Sequence, residues 1–126
     1  MGKKIVIIGG VSVGPKAASR ARRRDPDAEI TILEKGEALS YAGCGTPYFI
    51  GGKISDYKEL MMTPAGIVRD TAFFKNVKAI RVCNKTMAER IDRRGKVVGA
   101  VNVDTGERLE LPYDQLVIAT GSMPVR

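Results

Sequence analysis

Residues 3–34 read KKIVIIGGVSVGPKAASRARRRDPDAEITILE and contain two apolar runs separated by a glycine turn and an alanine-rich stretch. Residues 3–9 carry β-branched side chains, which is typical of a strand buried on both faces of a parallel sheet. From Gly14 to Arg24 small alanines alternate with charged residues, which predicts a helix that stops at the following Asp-Pro-Asp. Residues 28–34 predict a second strand. The segment therefore predicts one βαβ unit.

The remainder of the chain predicts two more helices and a series of strands. Threonine followed by proline at Thr46-Pro47 and at Thr63-Pro64 predicts two helix starts, with the first helix ending at Gly51-Gly52 and the second near Phe74. The predicted strands cover residues 77–82, 85–92, 96–103, 108–111 and 115–119. The last has the apolar character of a parallel strand, and those before it indicate an antiparallel β-meander. We therefore expect an α/β fold with a parallel sheet and an inserted meander.

Composition limits the possible functions. The chain has 126 residues, a net charge of +7 and neither histidine nor tryptophan, and this length has room for one domain. The absence of histidine excludes Ser-His-Asp hydrolysis, Cys-His nucleophiles and His-ligated zinc, and we expect no metal site. Basic residues are not interleaved with aromatic ones, so we expect no nucleic-acid partner, and the apolar runs are too short to cross a bilayer. Cys44 and Cys83 form no disulfide framework, which favours a reducing cytoplasm.

The glycines of the first turn indicate a dinucleotide site. Residues 9–14 read GGVSVG between a predicted strand and a predicted helix, and Glu34 ends the next strand. Glycine permits a tight turn, the helix N-terminus stabilises a pyrophosphate, and an acid at this spacing binds a ribose hydroxyl. Val11 stands where G-x-G-x-x-G has its middle glycine, so we expect the phosphate to approach through Gly10 and Ser12. The alternative interpretation is that these glycines only form a tight turn.

Two further motifs have less specific patterns. Cys44 lies within SYAGCGTPY, residues 40–48, just before a predicted helix N-terminus. A helix end stabilises a thiolate by about 0.3–1 kcal/mol, so a reactive Cys44 requires another stabilising group, and the alternative is an inert buried thiol. Residues 119–124, ATGSMP, follow the last strand, where backbone meets ligands in parallel sheets; the alternative is an ordinary loop.

Together the three motifs resemble the N-terminal part of the FAD-dependent pyridine nucleotide-disulfide oxidoreductases. The resemblance is closest to the branch that includes coenzyme A-disulfide reductases, NADH oxidases and persulfide reductases, and it covers essentially the whole chain. It implies an FAD-binding domain of the glutathione-reductase type, of which residues 1–126 form the first segment. From the resemblance we expect the NAD(P)H-binding and dimerisation domains of this family to lie outside residues 1–126, and we expect the parent protein to be an enzyme and a homo-oligomer.

The resemblance also implies a set of cofactor-binding residues. These are Gly9, Ser12 and Gly14 at the FAD pyrophosphate, Glu34 at the adenosine ribose with Lys35 next to it, Met87 at the adenine, and Ala119, Thr120 and Gly121 on the flavin side.

Cys44 is implied to be the redox-active sulfur. Family members with a second active-site cysteine have it five residues further on, where this chain has Phe49. The pattern is therefore that of a single-cysteine enzyme, whose sulfur cycles through a mixed disulfide, a persulfide or a sulfenic acid. Electrons would pass from NAD(P)H through FAD to Cys44, and then to a disulfide, persulfide or polysulfide such as coenzyme A disulfide, or to oxygen.

Arg20, Arg23 and Ser40 match positions that contact the substrate in the coenzyme A-using members. Arg20, Arg23 and Arg24 share one helix face by their spacing, and two interpretations stay open: they bind nucleotide phosphates, or they place positive charge favourably at a helix C-terminus. Gly43 departs from the asparagine that is common in coenzyme A-disulfide reductases. A second hypothesis for the chain is a non-catalytic nucleotide-binding or assembly module with a structural cysteine.

Overall fold

A computed structural model describes residues 2–123 and 125 of the chain. Pro124, the last residue of the ATGSMP motif, lies outside the described residues, as do Met1 and Arg126 at the ends of the predicted domain. In chain order the strands and α-helices are β1 (Lys4–Ile8), α1 (Val13–Arg24), β2 (Glu29–Leu33), α2 (Thr46–Ile50), α3 (Thr71–Lys78), β3 (Arg81–Cys83), β4 (Thr86–Asp92), β5 (Val97–Asn102), β6 (Arg108–Pro112) and β7 (Gln115–Ile118). Two 3₁₀ turns, Gly43–Gly45 and Tyr57–Met61, lie between β2 and α3.

The fold contains one parallel sheet and one antiparallel sheet, as predicted. The parallel sheet has four strands in the order β3-β2-β1-β7, and the meander has three strands in the order β4-β5-β6. Ile8 of β1 is in register with Leu33 of β2 and with Ile118 of β7. The carboxyl ends of these three strands therefore lie side by side, and the residues that follow them meet at one edge of the sheet.

The parallel sheet is buried on both faces, which explains its continuous apolar strands. Ile7 and Ile32 point to one face, where they pack in a cluster with Ala18 of α1 and Phe74 of α3. Val6 and Leu33 point to the other face and pack against Val98 and Ala100 of the meander. The alternation of side chains along a strand distributes neighbouring apolar residues between these two clusters.

The helix predicted from Thr63-Pro64 to near Phe74 is wrong in its first half. Met62 and Val68 pair as an antiparallel bridge, and Gly66 between them adopts a positive φ of 83°. The Thr63 N–H donates to the Ile67 carbonyl at 2.8 Å, so these residues form a tight hairpin. α3 begins after Asp70, whose carboxylate accepts a hydrogen bond from the Phe73 N–H at 2.9 Å.

The strand predicted over residues 77–82 is also wrong in part. α3 continues to Lys78 and ends at Ala79, which adopts the left-handed conformation with φ of 53°. β3 covers Arg81–Cys83 and pairs in parallel with β2. It therefore belongs to the parallel sheet and not to the meander, since the meander contains only β4, β5 and β6 among the described strands.

Candidate cofactor and substrate site

The first turn brings three backbone segments into close contact at the carboxyl edge of the parallel sheet. Gly9 has a φ of +116°, and a β-carbon on it would overlap the carbonyl oxygen of Ala119. A β-carbon on Gly14 would overlap the carbonyl oxygen of Gly9. Glycine is therefore required at both positions, because the turn packs against the backbone of Ala119 at Gly9 and against the start of α1 at Gly14. The result is a side-chain-free approach to the N-terminus of a 12-residue helix, which suits a pyrophosphate.

Glu34 is held rigidly beside this turn. The Gly10 N–H donates to its Oε1 at 2.9 Å, and the Gly36 N–H donates to its Oε2 at 2.7 Å. An ionised carboxylate has about four acceptor positions, so two remain for the hydroxyls of a ribose. The two backbone bonds fix the direction of those positions before a ligand arrives.

A cavity of about 440 Å³ opens at this edge of the sheet, and we call it the glycine-turn cavity. Its lining includes six of the residues assigned to FAD from the sequence: Gly9, Glu34, Lys35, Met87, Thr120 and Gly121. Gly14 and Ala119 lie directly behind Gly9, as their near-contacts with that residue show. Ser12 caps α1 without a side-chain hydrogen bond and lines a different cavity.

The second cavity, of about 480 Å³, is lined by four cationic side chains: Lys16, Arg23, Arg69 and Lys78. We call it the cationic cavity. Ser12, Ser19 and Ser40 add hydroxyl groups to its wall, and no aspartate or glutamate among the described residues lines it. Four positive charges without a facing carboxylate favour an anionic ligand that carries several negative charges.

Of the residues predicted to bind substrate, the structure brings two together. Arg23 and Ser40 both line the cationic cavity, whereas Arg20 is exposed on α1 and is not part of the lining. Sequence reasoning missed Lys16, Arg69 and Lys78. Lys16 and Lys78 gave no pattern by themselves, and Arg69 lay within a helix that was predicted incorrectly.

Cys44 lies in the 3₁₀ turn immediately before α2, where it is exposed and free. Its Sγ lines neither cavity. The preceding residues are attached to the glycine turn, because the Ser40 N–H donates to the Gly10 carbonyl at 2.8 Å. The Ala42 N–H donates to the Leu60 carbonyl at 2.8 Å. The cysteine turn is therefore anchored to the same loop that begins α1.

The two cavities are neighbours. Val11 and Tyr41 line both of them, so their side chains form a shared wall between the glycine turn and the cationic residues. Tyr41 precedes Cys44 by three residues. The three motifs recognised in the sequence therefore converge on one region of the molecule.

In residues 2–123 and 125, no group of three histidine, cysteine, aspartate or glutamate side chains is arranged to hold a metal ion. Within the same residues, every helix is too short or too polar to traverse a bilayer.

The family model described as pyridine nucleotide-disulphide oxidoreductase matches residues 3–126. The chain belongs to this family. The family assignment confirms the resemblance seen in the sequence, and FAD and NAD(P)H are the cofactors of the family.

Several relatives come from the branch that the sequence motifs indicate. A coenzyme A disulfide reductase of Staphylococcus haemolyticus is 36% identical over 120 residues, covering 95% of this chain and 26% of the relative. The structure of a NAD-dependent persulfide reductase from A. fulgidus is 48% identical with a TM-score of 0.92, over 97% of this chain and 22% of that one. The reduced Bacillus anthracis CoADR-RHD is 30% identical with a TM-score of 0.90, over 100% of this chain and 22% of that one. The chain thus spans about a quarter of the length of the proteins it matches.

Proposed function

We propose that this chain is the first FAD-binding segment of an NAD(P)H-dependent reductase of disulfides, persulfides or polysulfides. The observation that supports this most directly is the shared wall of Val11 and Tyr41 between a dinucleotide cavity and a cationic cavity. Cys44 follows that wall on an anchored turn. The family membership and the names of the relatives support the same assignment.

The residues of the glycine-turn cavity fit FAD. Glycines at positions 9 and 14 leave the helix N-terminus open to the pyrophosphate, and Glu34 has acceptor positions left for the adenosine ribose. The backbone of residues 119–121 borders the flavin side. When bound, FAD supplies the two-electron carrier between NAD(P)H and a sulfur centre.

Cys44 is proposed as that sulfur centre. As a thiolate, its Sγ attacks one sulfur of a disulfide substrate, a new S–S bond forms, and the second substrate sulfur leaves as a thiolate. Two electrons from NAD(P)H then cleave the mixed disulfide, which restores the Cys44 thiolate and releases the first substrate sulfur as a thiol after protonation. Position 49, where some family members have a resolving cysteine, is Phe49, so the substrate itself provides the partner sulfur.

The cationic cavity is proposed to hold the phosphates of a coenzyme A-type substrate. Arg23 and Ser40, assigned to substrate from the sequence, are joined there by Lys16, Arg69 and Lys78. Arg20 stays a proposed contact for a substrate that extends beyond the cavity along α1. We further propose that the protein acts in the cytoplasm as a homo-oligomer and that the remaining FAD-binding, NAD(P)H-binding and dimerisation parts lie outside this chain. Free thiols at Cys44 and Cys83 agree with a reducing compartment.

The test is Cys44→Ser in the full-length protein, with Cys83→Ser as the matched control. We expect Cys44→Ser to abolish the reduction of coenzyme A disulfide and polysulfide, because serine cannot form the mixed disulfide, while NAD(P)H still reduces the flavin. Cys83→Ser should retain sulfur-substrate reduction, since Cys83 is half-buried at the end of β3. Undiminished reduction of every sulfur substrate by Cys44→Ser rejects the proposed role.

The second candidate, a nucleotide-binding module with a structural cysteine, makes a different prediction about the same residue. Cys44 is exposed, which favours the reactive role. Intact-mass analysis of the purified protein distinguishes the two: a reactive Cys44 collects a coenzyme A, glutathione or extra-sulfur adduct that Cys44→Ser lacks, whereas a structural cysteine stays unmodified.

A further inference from the structure

Arg22 connects the ends of two helices through one guanidinium group. Its Nη1 donates to the Pro26 carbonyl at 2.8 Å and lies 3.5 Å from the Asp25 carbonyl. Its Nη2 donates to the Ala79 carbonyl at 2.7 Å. Arg22 and Ala79 are 57 residues apart in the sequence, so these bonds hold together parts of the chain that are distant along it.

The acceptors of these bonds lie at or just beyond helix C-termini, since Pro26 is the residue after the C-cap of α1. Asp25 is the C-cap residue of α1, and Ala79 is the C-cap residue of α3. The last carbonyls of a helix have no partner within the helix, and they form the negative end of its dipole. A guanidinium has a planar set of donors that can reach two separate acceptors at once, which an ammonium on a single flexible stem does less well.

The residues next to these contacts line the cationic cavity. Arg23 follows Arg22 on α1, and Lys78 precedes Ala79 on α3. The two cations come from different helices and repel each other, as they also repel Lys16 and Arg69 across the cavity. Without the hydrogen bonds of Arg22, this repulsion would increase the distance between the C-terminal ends of α1 and α3.

We propose that Arg22 is a positioning residue that fixes the separation of Arg23 and Lys78 and thereby sets the affinity of the cationic cavity for a phosphorylated ligand. The proposal rests on the proposed function in so far as that ligand is the coenzyme A part of the substrate. The Nε of Arg22 is buried with no hydrogen-bond partner in the described structure. The hydrogen bonds of the guanidinium are thus made by its two terminal nitrogens, which donate to backbone carbonyls at the two helix ends.

The test compares Arg22→Met and Arg22→Lys with two controls in the full-length protein. Arg94→Met removes an exposed cation from the turn between β4 and β5, and Val98→Ala creates a cavity in the cluster beneath the meander; neither residue lines the cationic cavity. The substrates are coenzyme A disulfide and pantethine, the corresponding disulfide without the nucleotide phosphates. Calorimetric titration with coenzyme A, in the Cys44→Ser background, measures binding independently of reduction.

We expect Arg22→Met to weaken coenzyme A binding and to raise KM for coenzyme A disulfide by about tenfold. Loss of the Arg22 hydrogen bonds displaces Arg23 and Lys78, and a displacement of binding residues by a substitution outside the site has an effect of this order. The values of kcat, and KM for pantethine, should stay unchanged. Arg22→Lys should raise KM for coenzyme A disulfide less than Arg22→Met does, since lysine retains the positive charge but lacks the planar set of donors that reaches both helix ends. Arg94→Met and Val98→Ala should leave KM for coenzyme A disulfide unchanged, although Val98→Ala lowers the thermal stability.

Three results would overturn the inference. One is an unchanged coenzyme A affinity in both Arg22 variants. Another is a parallel change for pantethine, or for Val98→Ala, which would show that Arg22 acts only through stability. The third is the absence of coenzyme A binding to the protein with an intact Arg22. Normal Arg22-dependent binding without Cys44-dependent reduction would instead contradict the proposed function and leave the positioning role supported.

Discussion

Gly14 is the second residue of α1, and the turn before the helix leaves no space for a β-carbon on it. The nearest atom to such a carbon is the carbonyl oxygen of Gly9, and the Cγ2 of Ile7 lies at 3.3 Å. A side chain at position 14 must therefore push the helix away from the turn, and the N–H groups at the start of the helix move with it. A single residue thus couples the packing of α1 to the shape of the glycine-turn cavity.

We expect Gly14→Ala to lower the free energy of unfolding by about 1–3 kcal/mol, the range of overpacking substitutions, and to weaken FAD binding. Urea denaturation and flavin fluorescence titration measure the two effects. Gly43→Ala is the matched control, because a β-carbon at Gly43 has no atom within 4 Å and the residue has no positive φ. Equal losses in the two variants would contradict the steric account.

At this scale the sequence predicts what depends on local chemistry. The positions of Gly9, Gly14 and Glu34 follow from spacing, because a strand, a tight turn and a helix leave few alternatives. Arg69 could not be found in this way. Its place in the cationic cavity depends on the hairpin between Met62 and Val68, which is a contact between backbones and has no charge pattern of its own.

Among the elements, α3 shows how a helix start is decided by competition between caps. Thr63-Pro64 has the residues of a helix start, but Gly66 adopts a positive φ of 83°, and the chain turns back before a helix forms. Asp70 then provides the cap, with its Oδ1 at 2.9 Å from the Phe73 N–H. The sequence contains both signals, and only the tertiary pairing of Met62 with Val68 selects the second.

We expect Asp70→Ala to reduce the free energy of unfolding by about 0.5–2 kcal/mol, because a lost N-cap leaves helix N–H groups without an acceptor. Asp70→Asn should retain most of the stability, since asparagine is a comparable cap. Chemical denaturation monitored by circular dichroism provides the measurement. Thr63→Ala is the comparison at the helix start predicted from the sequence, where the Thr63 Oγ1 accepts a hydrogen bond from the Ile67 N–H at 3.2 Å within the hairpin. A loss of helix signal from Thr63→Ala that exceeds the loss from Asp70→Ala would contradict the role of Asp70 as the cap.

Over the whole molecule, strands β1, β2 and β7 of the parallel sheet follow from the sequence, whereas the place of β3 and the relation between the cavities do not. Buried β-branched runs flanked by a glycine turn predict β1, α1 and β2, because each element has its own periodicity. The shared wall of Val11 and Tyr41 requires the loop after β2 to return to the glycine turn, where the Ser40 N–H meets the Gly10 carbonyl. The position of this loop depends on how all of its residues pack together, and no local sequence pattern predicts such packing.

The same arrangement predicts which half of FAD this chain binds. The residues proposed for the adenosine diphosphate half include the glycine turn, Glu34 and Met87, whereas those proposed for the flavin side are only the backbone groups of residues 119–121. At a hundred times its dissociation constant, ADP should therefore stabilise the 126-residue chain by about 2.7 kcal/mol, and FMN at the same concentration should stabilise it less. Thermal unfolding monitored at matched ligand concentrations measures the difference.

Glu34→Gln should remove most of the ADP effect, and Arg69→Met should preserve it, because Arg69 lines the cationic cavity. Equal stabilisation by FMN and ADP would contradict the prediction that this chain binds the adenosine diphosphate half of FAD. An ADP effect that depends on Arg69 and not on Glu34 would show that the nucleotide binds in the cationic cavity.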